Sequence, residues 1–212
     1  MKEGTINLIN KGVRVFIFAS LVLAIVIEIY SKNWLTLFIS VIALILTFLP
    51  NYFEKKYSIN LPRTFELSIL FFIYLSLYLG EIHQFYFKFW WWDIFLHLFS
   101  AINFGLIGFL IMLYLYQDKR LKTNHFLICV FAFSFTVAIG TIWEIFEFFI
   151  DQIFGLNMQK SGLLDTMTDL ITNSLGAFVS SIYGYFYLKY KKIKSNSSIN
   201  NFIKKNPKLF KK

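Results

Sequence analysis

Six long apolar runs constrain this chain more than any other feature, over residues 13–30, 34–50, 65–80, 93–116, 125–150 and 165–187. About 18 apolar residues suffice to carry a helix through the ~30 Å hydrocarbon core of a bilayer. A helix is also the conformation that satisfies its own backbone N–H and C=O groups where no water can. The second and third runs are the shortest. Composition points the same way: 57% of residues are hydrophobic and 21% aromatic. The mean hydropathy of +0.59 lies far above that of a soluble globular domain. The sequence therefore predicts an all-α polytopic membrane protein, a bundle of about six transmembrane helices. It reads as one transmembrane domain over residues 1–190, followed by a Lys/Asn/Ser-rich tail over 191–212 with the composition of a disordered segment.

The first run could pass for a signal peptide, with Lys2, Lys11 and Arg14 ahead of it. No small-x-small cleavage signature follows, so the expectation is a retained span. The single cysteine, Cys129, lies inside the fifth run, which removes any intrachain disulfide.

Basic residues orient the bundle. Counting from the N-terminus and loop by loop, they number three (Lys2, Lys11, Arg14), one (Lys32), three (Lys55, Lys56, Arg63), one (Lys88), three (Lys119, Arg120, Lys122), one (Lys160), and nine after the sixth run, from Lys189 onward. By the positive-inside rule, this alternation places both termini in the cytoplasm. The net charge of +9 is then a property of the cytoplasmic face. It implies attraction of the tail to anionic lipid headgroups rather than binding of nucleic acid.

With that orientation, eight of the twelve acids fall at the outer ends of spans: Glu28, Glu81, Asp93, Glu144, Glu147, Asp151, Asp165 and Asp169. Glu28 reads as an interfacial acid whose stem lies along the lipid. The loop QFYFKFWWW (84–92) reads more simply as an aromatic belt at the headgroup layer than as the wall of a quaternary-amine pocket.

The remaining acids are patterned. Glu144, Glu147 and Asp151 stand at i, i+3 and i+7, and Asp165, Asp169 and Asn173 at i, i+4 and i+8, so each trio shares one helical face. Asp93 and His97 are one turn apart on a third helix, a workable metal-ligand spacing. Asp93 and Asp165 could each simply favour a helix N-terminus. Asp151, near a helix C-terminus, has no such excuse. Carboxylates in apolar sequence need a partner, a cation or a proton. The segment between the two stripes, QIFGLNMQKSGLL (152–164), is too apolar for a free linker and reads as a short lid over the site.

Taken together, WWDIFLH, WEIFEFFID, GLNMQ and DTMTDLITNSLGA resemble the YjdF-type family of multi-pass bacterial inner membrane proteins. The D-x-x-x-H followed by acidic helices is loosely similar to VanZ-like proteins. The resemblance spans about residues 80–177. It implies a multi-pass protein of the bacterial cytoplasmic membrane, with Asp93, His97, Glu144, Glu147, Asp151, Asp165, Asp169 and Asn173 at its motif positions. It implies no particular activity.

Three function classes follow from the residues. In the first, these eight residues ligate one or two divalent metals (Mn, Fe, Zn or Mg) and Asp93, His97, Glu144 and Glu147 do chemistry on a lipid-linked or envelope substrate, as in a hydrolase or transferase. In the second, the acids form a buried, non-catalytic polar network. In the third, they carry protons or cations in a transporter. No polar path continues inward through the second and fifth spans, which weighs against the third.

Overall fold

A computed structural model describes residues 3–117, 121–190 and 198–210. Every regular element among them is helical: α1 (Glu3–Ser31), α2 (Trp34–Leu46), α3 (Leu49–Tyr57), α4 (Arg63–Ile73) continued by a π-helical segment (Tyr74–Ile82), α5 (Phe85–Lys88), α6 (Trp92–Gln117), α7 (His125–Phe154), α8 (Leu163–Tyr190), α9 (Ser198–Lys205) and α10 (Pro207–Phe210).

Among the described residues, five stretches are long and apolar enough to cross a membrane: Lys11–Ser31, Trp34–Tyr57, Arg63–Ile82, Trp92–Tyr116 and His125–Phe154. The sixth expected span corresponds to α8. It has the length, at 28 residues, but not the composition. Its interior is spent on Asp169, Thr172, Asn173, Ser180 and Ser181, which are all buried. A helix that turns polar residues inward can be long and still have a modest mean hydropathy. Large apolar side chains instead cover the outer surface, Phe16, Leu23, Phe38, Ile142, Phe149, Leu175 and Phe178 among them. In water such a surface would drive aggregation; against lipid tails it is the expected one.

The chain divides into two compact units, Met1–Trp92 and Asp93–Lys212. In the first unit, Ile17, Leu21, Ala43, Leu70, Ile73 and Tyr74 form the core. Helix α2 breaks at Thr47, whose hydroxyl donates back to Leu44 O at 2.6 Å, and α3 restarts with Pro50 in its first turn. The widening of α4 into π geometry coincides with Ser76, whose hydroxyl donates to Phe72 O at 2.7 Å and competes with the backbone ladder. Buried Glu66 is ion-paired by Arg14 and, at 3.7 Å, by Arg63. Glu54 accepts the Leu61 amide at 2.7 Å.

The second unit is built by close approach. A Cβ on Gly176 would lie 2.6 Å from Ala101 Cβ and 3.0 Å from Leu98 O, so α8 presses its backbone on α6. A Cβ on Gly108 would lie 2.9 Å from Phe135, which sets α6 against α7, and one on Gly140 would lie 2.7 Å from Asn173 Nδ2, which sets α7 against α8. Asn124 caps α7 by accepting the Leu127 amide at 2.9 Å. At the other end Gly155, at φ 64°, turns the chain out of α7 and donates to Asp151 O at 3.0 Å.

The tail departs from the expectation of disorder over 198–210, where α9 and α10 form. Ile199 is fully buried, Tyr187 OH donates to Asn200 Oδ1 at 2.6 Å, and the Phe210 ring meets Tyr114 edge-on. Apolar residues spaced among the lysines give the segment something to bury, which its overall composition conceals. Residues 191–197 and 211–212 of that expected tail lie outside the described residues.

Candidate functional site

His97 sits at the centre of the second unit's polar cluster, 8% exposed on α6. Its Nε2 faces Asp93 Oδ1 at 3.6 Å, from one turn earlier on the same helix, and Asp169 Oδ2 at 3.7 Å, from α8. Its Nδ1 faces Asn173 Nδ2 at 3.3 Å and Glu144 Oε1 at 3.9 Å, from α8 and α7. Three helices therefore bring acids and one imidazole to a single point. The i, i+4 spacing of Asp169 and Asn173 puts them on the two sides of the same ring.

The nitrogen–carboxylate separations are too long for hydrogen bonds of ordinary length. Neither oxygen of Glu144, which is 4% exposed, has a hydrogen-bond partner, and Asp169 Oδ2 has none in a residue 2% exposed. Buried carboxylate oxygens without donors are rare, because their desolvation goes uncompensated. One ligand atom each from Asp93, His97 and Asp169 lie within 4.8 Å of one another, close enough to bind one ion. Atoms about 2.1 Å from a shared ion stand roughly 3–4 Å apart, the range seen around Nε2.

The other expected residues are placed differently. Glu147 is buried and accepts the Trp143 indole N–H at 3.0 Å. Asp165, in the first turn of α8, is half-buried. Asp151 turns to the loop that follows α7: its two oxygens accept the amides of Met158 at 2.7 Å and Gln159 at 2.9 Å. The sequence reading found no structural role for Asp151 because it considered only the dipole of its own helix. The carboxylate is satisfied by amides beyond the helix end.

Lys160 is what the sequence reading passed over. Counted only as a basic residue of an external loop, it reaches back to ion-pair with Asp93 Oδ2. The signal was present: it is the one basic residue between two acidic stripes. Its loop is held by the Asp151 clamp and by Gln159 Nε2 donating to Thr166 Oγ1 at 2.8 Å. The expected lid over residues 152–164 thus exists as a fastened loop that delivers a cation to the cluster.

Comparison with known proteins adds a family without an activity. Residues 13–190 match the family described as "Predicted membrane protein (DUF2238)". An uncharacterized protein of Thermotoga maritima is 30% identical over 135 residues, covering 62% of this chain and 67% of the relative. No solved structure matches. The YjdF-type and VanZ-like resemblances rest on the motifs alone.

Proposed function

The chain belongs to this family of predicted membrane proteins, and from that premise we propose a multi-pass protein of the bacterial cytoplasmic membrane, termini inside, whose outward-facing cluster holds a divalent metal. In this reading it is a hydrolase or transferase acting on lipid-linked or envelope substrates. The observation that carries it is the convergence of Asp93, His97 and Asp169 beside buried carboxylate oxygens that lack donors. A cation supplies the compensation that the surrounding side chains do not.

The residues divide by the two faces of the imidazole. Asp93 Oδ1, His97 Nε2 and Asp169 Oδ2 are the proposed ligands. Asn173 Nδ2 and Glu144 Oε1 stand on the Nδ1 side at 3.3 and 3.9 Å; a metal on Nε2 would require the ring proton on Nδ1, with Glu144 or the oxygen of a turned Asn173 amide accepting it. Glu147, oriented by the Trp143 indole, is the proposed proton-transfer group. When bound, the metal would supply Lewis acidity and an activated water. Hard oxygen donors with one nitrogen suit Mn, Fe, Zn or Mg.

The orientation draws support from the Arg14–Glu66 pair, which brings the beginning of the apolar stretch Lys11–Ser31 and the start of α4 together at the end the basic residues assign to the cytoplasm. A non-catalytic polar network is the second reading. It is favoured by the pairing of Lys160 with Asp93, which compensates part of the cluster from within the chain.

Elemental analysis of protein purified without chelator tests the choice. About one or two transition-metal ions per chain are expected. His97→Ala and Asp169→Ala should lower the content, and His125→Ala should not. Well-folded protein that takes up no metal after adding Mn and Zn would leave the polar network standing.

A further inference from the structure

Within the first unit, a groove of about 300 Å³ opens at the break between α2 and α3, walled also by α1 and α4. That volume is at the lower end of the range for ligand pockets, roughly 300–1,000 Å³. The groove is polar at one end and apolar at the other. The rings of Phe18 and Phe48 meet edge-on with centroids 6.4 Å apart, which sets α1 beside the break. Only Lys32 and Asn33 separate α1 from α2, so the chain returns along α1 in the opposite direction. Arg14 stands four residues before Phe18 and Asn51 three residues after Phe48, and both line the groove. Each therefore lies about one turn, roughly 5 Å, beyond the ring pair toward the same end. Ala19 and Leu70 continue the wall away from that end.

Arg14 keeps donors to spare beside its ion pair. A guanidinium carries five N–H donors. Glu66 engages Nη2, whereas Nε is buried without a hydrogen-bond partner, and the side chain as a whole is 33% exposed. Exposed Lys11, Lys55, Lys56 and Arg63 stand at the same end, so five cations there face two acids, Glu54 and Glu66. We propose that this groove binds an anionic phospholipid, with its phosphate on Arg14 and Asn51 and the start of an acyl chain against Phe18, Phe48 and Leu70. The occupant must be anionic at one end and apolar at the other. Phe18 and Phe48 are 47% and 54% exposed on a surface that faces lipid, where phospholipid is the molecule that combines both properties. The planar fork of Arg14 holds Glu66 on one edge and offers a phosphate another, so the ion pair stays in place. The Asn51 amide supplies an N–H group to a second phosphate oxygen. A zwitterionic lipid fits the same walls but leaves the excess positive charge unmatched. The leaflet, and nothing else in the proposal, rests on the orientation given above: with the termini inside, the lipid comes from the cytoplasmic leaflet.

Native mass spectrometry of the purified full chain in detergent, offered equal amounts of phosphatidylglycerol and phosphatidylcholine, tests the proposal. One phosphatidylglycerol per chain should be retained, with a preference of roughly fivefold or more over phosphatidylcholine. Ala19→Trp fills the apolar end, Asn51→Leu removes the amide, and Arg14→Lys keeps a charge for Glu66 but loses the fork. Each should reduce retention to about a third or less. Replacing Lys204, Lys205 and Lys208 of the tail by Gln should leave it unchanged. Equal retention of the two lipids, full retention in any of the three groove variants, or loss on the tail substitutions overturns the site. Size-exclusion profiles report whether each variant is folded, and exposed Ala19 is the position where a change disturbs packing least. Detergent removes sidedness, so failure here leaves the orientation and the metal centre untouched.

Discussion

The two units each bury acid in an apolar setting and treat it in opposite ways. In Met1–Trp92, the carboxylate of Glu66 is met by two guanidinium groups, those of Arg14 and Arg63. In Asp93–Lys212, Glu144 and Asp169 are as deeply buried, yet three of their four oxygens have no hydrogen-bond partner, and Lys160 spends its charge on Asp93. In the first arrangement the carboxylate is compensated by the chain's own charges, although Arg14 Nε is left without a hydrogen-bond partner, and it explains itself as structure. The second is complete only with a proton or a cation from outside. A buried acid is a functional signal when its compensation is missing, and burial alone does not distinguish the two.

The sharpest way to break that contrast is to remove one partner from each. Arg14→Met should leave Glu66 buried with Arg63 alone and cost about 3 kcal/mol or more. It would be read as a lowered melting temperature in detergent, largely restored by Glu66→Gln in the same chain. An Arg14→Met variant that melts with the wild type would mean the pair is ornamental. In the second unit the sign should depend on metal. With chelator present, Glu144→Gln removes an uncompensated charge and should stabilise by about 1 kcal/mol. With Mn added, the wild type should gain stability that this variant gains less of, by linkage between binding and folding. Identical shifts in both buffers would erase the difference between the units.

The contrast also marks what could be read from sequence. The apolar runs gave the spans, and the i, i+3, i+4 and i+7 spacings gave the faces, because both are local periodicities. Thus His97 was legible as a residue beside Asp93, and Asp169 and Asn173 as a pair. Helix α8 was legible as a helix of membrane-spanning length, and its polar residues lie on the inward face. Which acid is satisfied by what was not legible. Glu66 meets Arg14 across 52 positions and Lys160 meets Asp93 across 67, and only the packing of helices decides such pairs. Asp151 failed for a related reason: its partners are backbone amides, which carry no residue type to notice. The helices in 198–210 were hidden because contacts with distant residues such as Tyr187 and Tyr114, not composition, place them.

Asp151 gives the smallest of these tests and separates the loop from the cluster it serves. Two amides, Met158 and Gln159, depend on one carboxylate. Asp151→Asn keeps one acceptor oxygen and turns an N–H group toward the other amide, so one hydrogen bond is lost and the remaining one is no longer charge-assisted. The expected cost is about 1–2 kcal/mol, and it should appear as local opening rather than global unfolding. Hydrogen exchange would detect it as faster exchange at Met158 and Gln159, with amides in the middle of α7 unchanged. Because the same clamp holds the loop that carries Lys160, and not the proposed ligands themselves, Mn content should hold in this variant. If Mn is lost as well, Asp151 belongs to the metal-binding group after all, and the line drawn between the loop and the cluster is in the wrong place.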